Sequence, residues 1–400
     1  MTVGLGRGVT ASRGFRAAGV PCGIKAGGRD LALVVSEEVA SAAALFTTNL
    51  AVAAPVLISR EHLHATGGRA RALVTNSGCA NACTGDAGLK AAALMASAVA
   101  RAIGCEAEEV LVASTGVIGV PLDVHKVAAG ISAAAEQLDV AGGGDAAEAI
   151  MTTDAFPKTH ALEVSIGSGR FRVGGMAKGA GMIEPNLATM LAFLTTDAGV
   201  EPGLLRSALI DACESTFNAI TVDGECSTND SVFLLANGAS GVTVERENYD
   251  ALVEGLRAVC RQLATEIVRG AEGATKLVTV RVTGARTYEE AKRAARALAN
   301  SLLVKTALHG GDPNWGRLLA VAGRAGVAFS LPAARAALGP VVLFEHGRSY
   351  DERSPEAARY LQGREVTVTV DLGAGGHEEA TLWTCDLSAE YVRINSEYRT

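Results

Sequence analysis

A glycine-rich loop, followed at once by a short apolar run, constrains the fold of this chain most. Pro185 closes the loop, and residues 190–196 form the apolar run. The glycines of the loop are Gly175, Gly179 and Gly181. Glycine permits backbone conformations that side chains exclude, and proline cannot donate a hydrogen bond to a sheet. Since the run is too short for an ordinary helix, it predicts a buried strand that begins where a strained loop ends.

Thr189 lies at this junction between the loop and the strand. Its hydroxyl can attack the carbonyl of Ala188, and hydrolysis of the resulting ester leaves Thr189 as a new chain start. The freed α-amine can then act as the base for the same hydroxyl, as in other enzymes with an N-terminal threonine. The alternative is a half-buried strand threonine with a packing role only, and the local pattern by itself favours that alternative.

Composition and charge exclude several classes of protein. The net charge of −7 argues against nucleic acid as the main partner, because phosphate binding needs a basic face. Residues 1–15 lack the apolar segment of a secretory signal, and no uncharged apolar stretch reaches membrane-spanning length. The eight scattered cysteines then predict reduced, mostly buried thiols. We expect a cytoplasmic enzyme without a membrane partner.

Strands and helices alternate along the chain, which predicts an α/β protein with sheets packed together and covered by helices. Aromatic residues make up only 4% of the chain, so small side chains must form the contacts between helices and sheets. The length of 400 residues predicts two or three domains. The main local predictions are strands at 31–35 and 42–49 separated by a turn, helices at 88–104 and 124–138, a flexible glycine segment at 142–144, and a hairpin of 161–166 with 171–175.

Thr115 and Gly116 follow a predicted strand and suit acyl-transfer chemistry. Such a transfer creates an oxyanion, to which the Thr115 hydroxyl and the Gly116 N–H are able to donate hydrogen bonds. A plain turn built from threonine and glycine is the alternative. Cys79 and Cys83 have no matching pair downstream, and the polar loop at 309–317 lacks further ligands at sensible spacing, so we predict no metal site.

Residues 178–191, Lys-Gly-Ala-Gly-Met-Ile-Glu-Pro-Asn-Leu-Ala-Thr-Met-Leu, resemble the self-cleavage and nucleophile motif of the ornithine acetyltransferase family. That family includes the bifunctional ornithine acetyltransferase/N-acetylglutamate synthase of arginine biosynthesis. Similar stretches occur throughout residues 19–400, at 46–56, 114–116, 150–158, 222–232 and 391–400. Leu50 stands where a basic residue is common in the family, and Glu225 and Cys226 also depart from its pattern.

The resemblance implies transfer of an acetyl group from N2-acetylornithine to glutamate through an acetyl-Thr189 intermediate. Thr115 and Gly116 would form the oxyanion hole. The residues that the resemblance assigns to substrate binding are Thr152, Lys178, Thr189, Glu272, Asn395 and Thr400. It implies no metal and no coenzyme for this transfer, and it leaves open whether acetyl-CoA serves as a second acetyl donor.

The resemblance also implies a self-processing fold of the N-terminal-nucleophile type. Cleavage between Ala188 and Thr189 would give chains 1–188 and 189–400. Within the second chain, residues 189–284 would complete the core and residues 285–400 would form a smaller α/β domain. Two cleaved pairs would assemble as a heterotetramer.

Two other functions remain open from the sequence. A self-processing amidase or aminopeptidase would use the same nucleophile but pass the acyl group to water. In a non-catalytic binding or assembly protein, the bond between Ala188 and Thr189 would stay intact.

Overall fold

The computed structural model describes residues 2–3, 7–184 and 190–397. Ala188, Thr189 and Thr400 therefore lie outside the described residues. The chain forms two compact units. The first contains the described residues up to Asn218 together with Glu225–Ile267, and the second contains Ala219–Gly224 together with the described residues from Val268 onward.

In the described part of the first unit, nine strands form one mixed sheet and two short strands form another. The strands are β1 (Thr2–Val3), β2 (Phe15–Val20), β3 (Leu31–Phe46), β4 (Arg69–Cys79), β5 (Val110–Val117), β6 (Lys158–Ile166), β7 (Gly169–Lys178), β8 (Leu191–Thr196), β9 (Gly199–Val200), β10 (Ser231–Ala236) and β11 (Thr243–Val244). The helices are α1 (Ala54–Ala65), α2 (Gly85–Ile103), α3 (Val124–Glu136), α4 (Gly143–Ala149), α5 (Pro202–Glu214) and α6 (Tyr249–Arg269).

The large sheet runs in the order β1-β6-β7-β8-β10-β3-β4-β5, and β2 pairs with β3. β8 pairs in parallel with β10, and β4 pairs in parallel with β5. The predicted hairpin is confirmed as β6 and β7, and the predicted strand after the glycine loop is confirmed as β8. The helices predicted at 88–104 and 124–138 are confirmed as α2 and α3.

The large sheet folds over on itself. Four strands lie between β7 and β5 in the sheet order, and a flat sheet would hold these two strands about 24 Å apart at about 4.8 Å per step. Yet Nζ of Lys178 on β7 lies 3.2 Å from Oγ1 of Thr115 on β5. The two ends of the sheet must therefore face each other, as packed sheets require.

Two apolar clusters hold this arrangement together. One joins Met176 and Phe193 from one half of the sheet with Leu73 and Leu111 from the other half. The second cluster packs the side chains of α2 and α3 on β3, β4 and β5. The predicted α/β class, with packed sheets covered by helices, is confirmed.

The prediction of two strands with a turn at 31–49 is wrong. Leu31–Phe46 is a single strand of 16 residues. Its pairing with β4 shifts register between Val35 and Ala40. A bulge of this kind absorbs extra residues without ending the strand, so the charged residues Glu37 and Glu38 produced a false turn signal.

The prediction of a flexible segment at 142–144 is also wrong. Gly142 is the N-cap residue of α4, and Gly143 is its first residue. Both glycines lie directly against the backbone of other segments. A Cβ on Gly142 would lie 1.9 Å from the carbonyl oxygen of Ala17, and one on Gly143 would lie 2.1 Å from that of Arg7. On β2, a Cβ on Gly19 would lie 2.0 Å from the carbonyl oxygen of Asp145. Gly19 and Gly142 permit close packing of α4 on β2, and Gly143 permits close packing of α4 on the backbone at Arg7.

In the described part of the second unit, six strands form a sheet in the order β15-β14-β13-β16-β12-β17. The strands are β12 (Leu277–Ala285), β13 (Arg335–Leu338), β14 (Val341–Glu345), β15 (Arg348–Ser349), β16 (Glu365–Asp371) and β17 (Glu378–Cys385). The helices are α7 (Tyr288–Ala299), α8 (Leu302–Gly310), α9 (Trp315–Gly323), α10 (Ser354–Tyr360) and α11 (Ala389–Glu397).

β12 lies inside this second sheet, between β16 and β17. Its side chains Val278, Val280 and Val282 join the core that α7 covers. Because of this pairing, the second unit begins at Val268, ahead of the boundary that the sequence placed near residue 285. Among the described residues, no helix is long and apolar enough to cross a membrane.

The close contact of α4 gives a testable prediction. Gly143→Ala should lower the free energy of unfolding by about 1–3 kcal/mol, because the new methyl group must displace the backbone of Arg7. Gly144→Ala is the matched control in the same helix, since nothing lies within 4 Å of its Cβ position. That variant should gain about 0.5–1 kcal/mol from helix propensity. Urea denaturation followed by circular dichroism measures both, and equal stability of the two variants would contradict the packing.

Candidate functional site

Thr115 and Gly116 lie in β5 itself, near its C-terminal end, and the alternative of a plain turn is wrong. The pairing of β4 with β5 becomes irregular beside them, at Gly78 and Cys79. Gly116 has a φ of 128°, and a Cβ there would lie 2.3 Å from the carbonyl carbon of Gly78. Only glycine fits this backbone. Because glycine has no side chain, a reacting group can approach the Gly116 N–H closely.

Lys178 is the last residue of β7 and is 9% exposed. Its Nζ donates a hydrogen bond to Oγ1 of Thr115. In the pairing of β7 with β8, Lys178 is the register partner of Leu191, which is two residues beyond Thr189 in the chain. The structure therefore brings two of the predicted site residues, Thr115 and Lys178, into direct contact beside the start of β8.

Thr152 is tied to the same region through a buried carboxylate, Asp154. The Thr152 N–H donates to Oδ2 of Asp154 at 3.0 Å, and the Gly179 N–H donates to Oδ1 at 2.7 Å. Nζ of Lys158 also donates to Oδ1, at 2.7 Å. Burial acts to raise the pKa of Asp154, but Lys178, Lys158 and the Gly179 N–H outweigh it and hold the pKa below its ordinary value.

A second buried aspartate, Asp230, directly precedes β10 and behaves in the opposite way. Burial raises its pKa well above the ordinary value, although the charge of Lys178 and hydrogen bonds from Ser227 act to lower it. Its Oδ2 is buried and has no hydrogen-bond partner among the described residues. The pKa values of these two buried aspartates are therefore shifted in opposite directions.

Asn229 joins the start of β10 to the far half of the folded sheet. Its Nδ2 donates to the carbonyl oxygens of Ala80 and Ser114, at 2.6 and 2.9 Å. Ser114 in turn donates to Oδ1 of Asn76 at 2.6 Å. Asn76, in β4, thus supplies part of the hydrogen-bonded framework next to Thr115.

Glu272 and Asn395 meet in the second unit. Nδ2 of Asn395 on α11 donates to Oε2 of Glu272 at 2.7 Å, and Glu272 is only 8% exposed. The adjacent Gly273 has a φ of 67°, and a Cβ there would lie 2.5 Å from the backbone nitrogen of Tyr391. Glu272 is therefore a buried carboxylate with a defined hydrogen-bond partner.

Side chains that could bind a metal ion are not grouped together in the part of the chain that the structure describes. Among the described residues, no group of three or more His, Cys, Asp or Glu side chains is placed to hold a metal ion. Nδ1 of His309, near the end of α8, lies 2.7 Å from Oδ2 of Asp386. Asp386 also accepts from the N–H groups of Thr275 and Lys276, so this pair joins α8 to the loop before β12.

Three residues of the site were missed by the sequence analysis. Asp154 and Lys158 lie within the stretch 150–158, and Asp230 lies within 222–232, and both stretches were noted for their resemblance only. A signal was present in one case, because Asp154 and Lys158 are opposite charges close in sequence ahead of an apolar strand. Nothing local distinguishes Asp230 from an ordinary loop aspartate.

A family model and the full-length relatives of this chain identify the same protein family. The sequence model described as "ArgJ family" matches residues 16–400. The "Arginine biosynthesis bifunctional protein ArgJ" of Symbiobacterium thermophilum is 50% identical over 404 residues, which cover 99% of each chain. The protein of the same description from Chlorobaculum tepidum is 48% identical over 389 residues, covering 97% of this chain and 96% of the relative.

A crystal structure is similar as well. It is that of the "Arginine biosynthesis bifunctional protein argJ" from Bacillus halodurans, with 40% identity and a TM-score of 0.51. The match covers 52% of this chain and 100% of the crystallised chain.

The raised pKa of Asp230 gives a prediction of stability against pH. Because its pKa is raised on folding, the folded protein binds more protons than the unfolded chain, and stability falls as pH rises above the ordinary aspartate value of 3.8. Asp230→Asn removes this loss, so the variant should unfold at a higher temperature at pH 7, by about 2–4 °C. The difference should vanish as pH falls towards 4. Thermal unfolding between pH 4 and 8 measures it, and a destabilised variant at pH 7 would refute the raised pKa.

Proposed function

The chain belongs to the ArgJ family of arginine-biosynthesis enzymes, and on this premise we propose that it transfers an acetyl group from N2-acetylornithine to glutamate. The products are ornithine and N-acetylglutamate. The reaction proceeds in two halves, with the acetyl group held on the enzyme between them. Self-cleavage between Ala188 and Thr189 first exposes the nucleophile.

In the first half-reaction, Thr189 Oγ1 attacks the acetyl carbonyl carbon of N2-acetylornithine while the Thr189 α-amine accepts the hydroxyl proton. A terminal α-amine has an ordinary pKa near 8, close enough to neutrality for this role. The C–N bond then breaks, and the same proton passes to the departing α-amine of ornithine. In the second half, the neutral α-amine of glutamate attacks the acetyl ester, and its nitrogen loses a proton to the Thr189 α-amine. The bond between the acetyl carbon and Thr189 Oγ1 then breaks, and the Thr189 α-amine passes that proton to Oγ1.

The contact between Lys178 and Thr115 is the observation that carries this proposal. A threonine hydroxyl has one donor and two acceptor sites. Since Thr115 Oγ1 accepts from Lys178, its own O–H is left to donate to an oxyanion, together with the Gly116 N–H. Lys178 increases the polarity of that donor, and its ammonium suits the α-carboxylate of an amino-acid substrate.

Glu272 and Asn395 are the proposed substrate contacts in the second unit, and Thr400, which lies outside the described residues, is a further proposed contact. A carboxylate such as Glu272 suits an ammonium group, and Asn395 orients it through the hydrogen bond to Oε2. On the same premise we propose a cytoplasmic heterotetramer of two cleaved pairs, and a transfer that uses neither metal nor coenzyme. Acetyl-CoA enters this scheme only as an alternative acetyl donor to Thr189.

Self-cleavage can be tested directly by intact-mass measurement. The wild-type protein should give fragments of 188 and 212 residues, the second beginning at Thr189 and ending at residue 400. Thr189→Ala should stay one chain and be inactive, because it lacks the hydroxyl for both steps. Thr189→Ser is the matched control that restores a hydroxyl, and it should cleave and retain part of the activity. Transferase activity in the uncut alanine variant would refute the assignment.

The identity of the acetyl acceptor gives a further prediction. With N2-acetylornithine alone, the enzyme should release little ornithine beyond one equivalent, and glutamate should start continuous turnover with formation of N-acetylglutamate. Chromatography of ornithine, acetate and N-acetylglutamate measures this. Free acetate released at the same rate with and without glutamate would identify a hydrolase instead. Incubation of acetyl-CoA with glutamate, without N2-acetylornithine, then decides between a bifunctional and a monofunctional enzyme.

A further inference from the structure

Asp154 and Lys158 form a fully buried ion pair that the proposed reaction does not use. Both side chains have 0% exposure, and Oδ1 and Nζ are 2.7 Å apart. A buried ion pair seldom adds stability relative to apolar side chains of the same volume, because removing both charges from water is costly. Their presence therefore calls for a role other than stabilisation of the core.

The hydrogen bonds of Asp154 show which backbone segments the ion pair holds in place. One carboxylate oxygen accepts from the backbone of Thr152, and the other accepts from the backbone of Gly179. Gly179 directly follows Lys178 in the chain. A single rigid carboxylate thus fixes the two segments that carry the proposed substrate contacts Thr152 and Lys178.

Lys158 donates a third hydrogen bond to this carboxylate. Its Nζ donates to Asp154 Oδ1 and to the carbonyl oxygen of Phe156 at 3.2 Å, and it lies 4.9 Å from the centre of the Phe156 ring. Lys178 lies in the electrostatic field of the same carboxylate, yet its Nζ donates to Thr115. Two ammonium groups therefore surround Asp154, and they have different hydrogen-bond partners.

We propose that Asp154 and Lys158 are a positioning pair for the active site. Asp154 fixes the backbone at Thr152 and Gly179, and Lys158 occupies the carboxylate so that Lys178 stays directed at Thr115 and at the substrate carboxylate. The inference rests on the proposed function only for the identity of that substrate. The position of Lys178 relative to Thr115 is a property of the folded chain and can be tested without any reaction.

Lys158→Met tests the pair. Methionine is a flexible apolar side chain that can occupy the space of the lysine stem, and it leaves Lys178 as the nearest ammonium to Asp154. We expect Lys178 to turn from Thr115 to Asp154 and the KM for N2-acetylornithine to rise about 10-fold or more, with kcat/KM lowered on the order of 100-fold. A merely structural loss would reduce the amount of active enzyme, and so the apparent kcat, without changing KM.

Arg170→Met is the matched control, because it removes a cation from an exposed pair with Glu163 on the same hairpin. Its KM should equal that of the wild type. If Lys158→Met does not fold, Asp154→Asn/Lys158→Met replaces it, since neither member of the buried pair is left charged without its partner. The double variant should keep a raised KM, because an amide offers one acceptor oxygen where the carboxylate offers two.

Crystal structures of the variants separate this inference from the proposed function. A Lys178 Nζ that leaves Thr115 Oγ1 in Lys158→Met supports the pair, whatever the wild-type enzyme catalyses. An unchanged contact together with an unchanged KM overturns it, as does a wild-type KM in the double variant. Absence of transferase activity in the wild-type protein would instead overturn the proposed function and leave the structural test in place.

Discussion

The meeting of two sheet ends at Lys178 and Thr115 is the constraint on which the rest of the first unit depends. The two residues belong to strands separated by four others, and they touch only because the large sheet is folded over. Asn229 reinforces this closure from the start of β10. β8 pairs with β7 on one side and with β10 on the other. Its first residue, Leu191, is the register partner of Lys178, so the start of β8 lies beside the contact between the two sheet ends.

Both burial and nearby charges shift the pKa values of the two aspartates in this region. Asp154 and Asp230 both feel the positive charge of Lys178. Asp154 also has Lys158 and two backbone donors, which is enough to outweigh burial and keep it ionised. For Asp230, burial outweighs the opposing charge of Lys178 and raises the pKa. One ammonium group thus acts on two carboxyl groups whose pKa values are shifted in opposite directions.

Sequence reasoning predicted the elements whose signals are local. The hairpin, α2, α3 and the strand after the glycine loop each have their own periodicity or capping residue, such as Asp123 before α3. It failed for β3, which continues through two glutamates although its pairing with β4 is interrupted there. Resemblance named Thr115, Lys178, Glu272 and Asn395 one by one, and the structure shows that Thr115 contacts Lys178 and that Glu272 contacts Asn395. Asp154 and Asp230 were missed, because their burial depends on how distant segments pack and is not visible in the local sequence.

The direct backbone contact between α4 and β2 has a consequence for how this protein can vary. Every glycine codon begins with two guanines, and any single-nucleotide missense change at Gly19, Gly142 or Gly143 introduces at least a β-carbon. Each such atom would overlap a backbone carbonyl group, that of Asp145, Ala17 or Arg7 respectively. Every first mutational step at these three sites therefore costs stability, and a lineage that changes this patch must also shift α4 away from its neighbours.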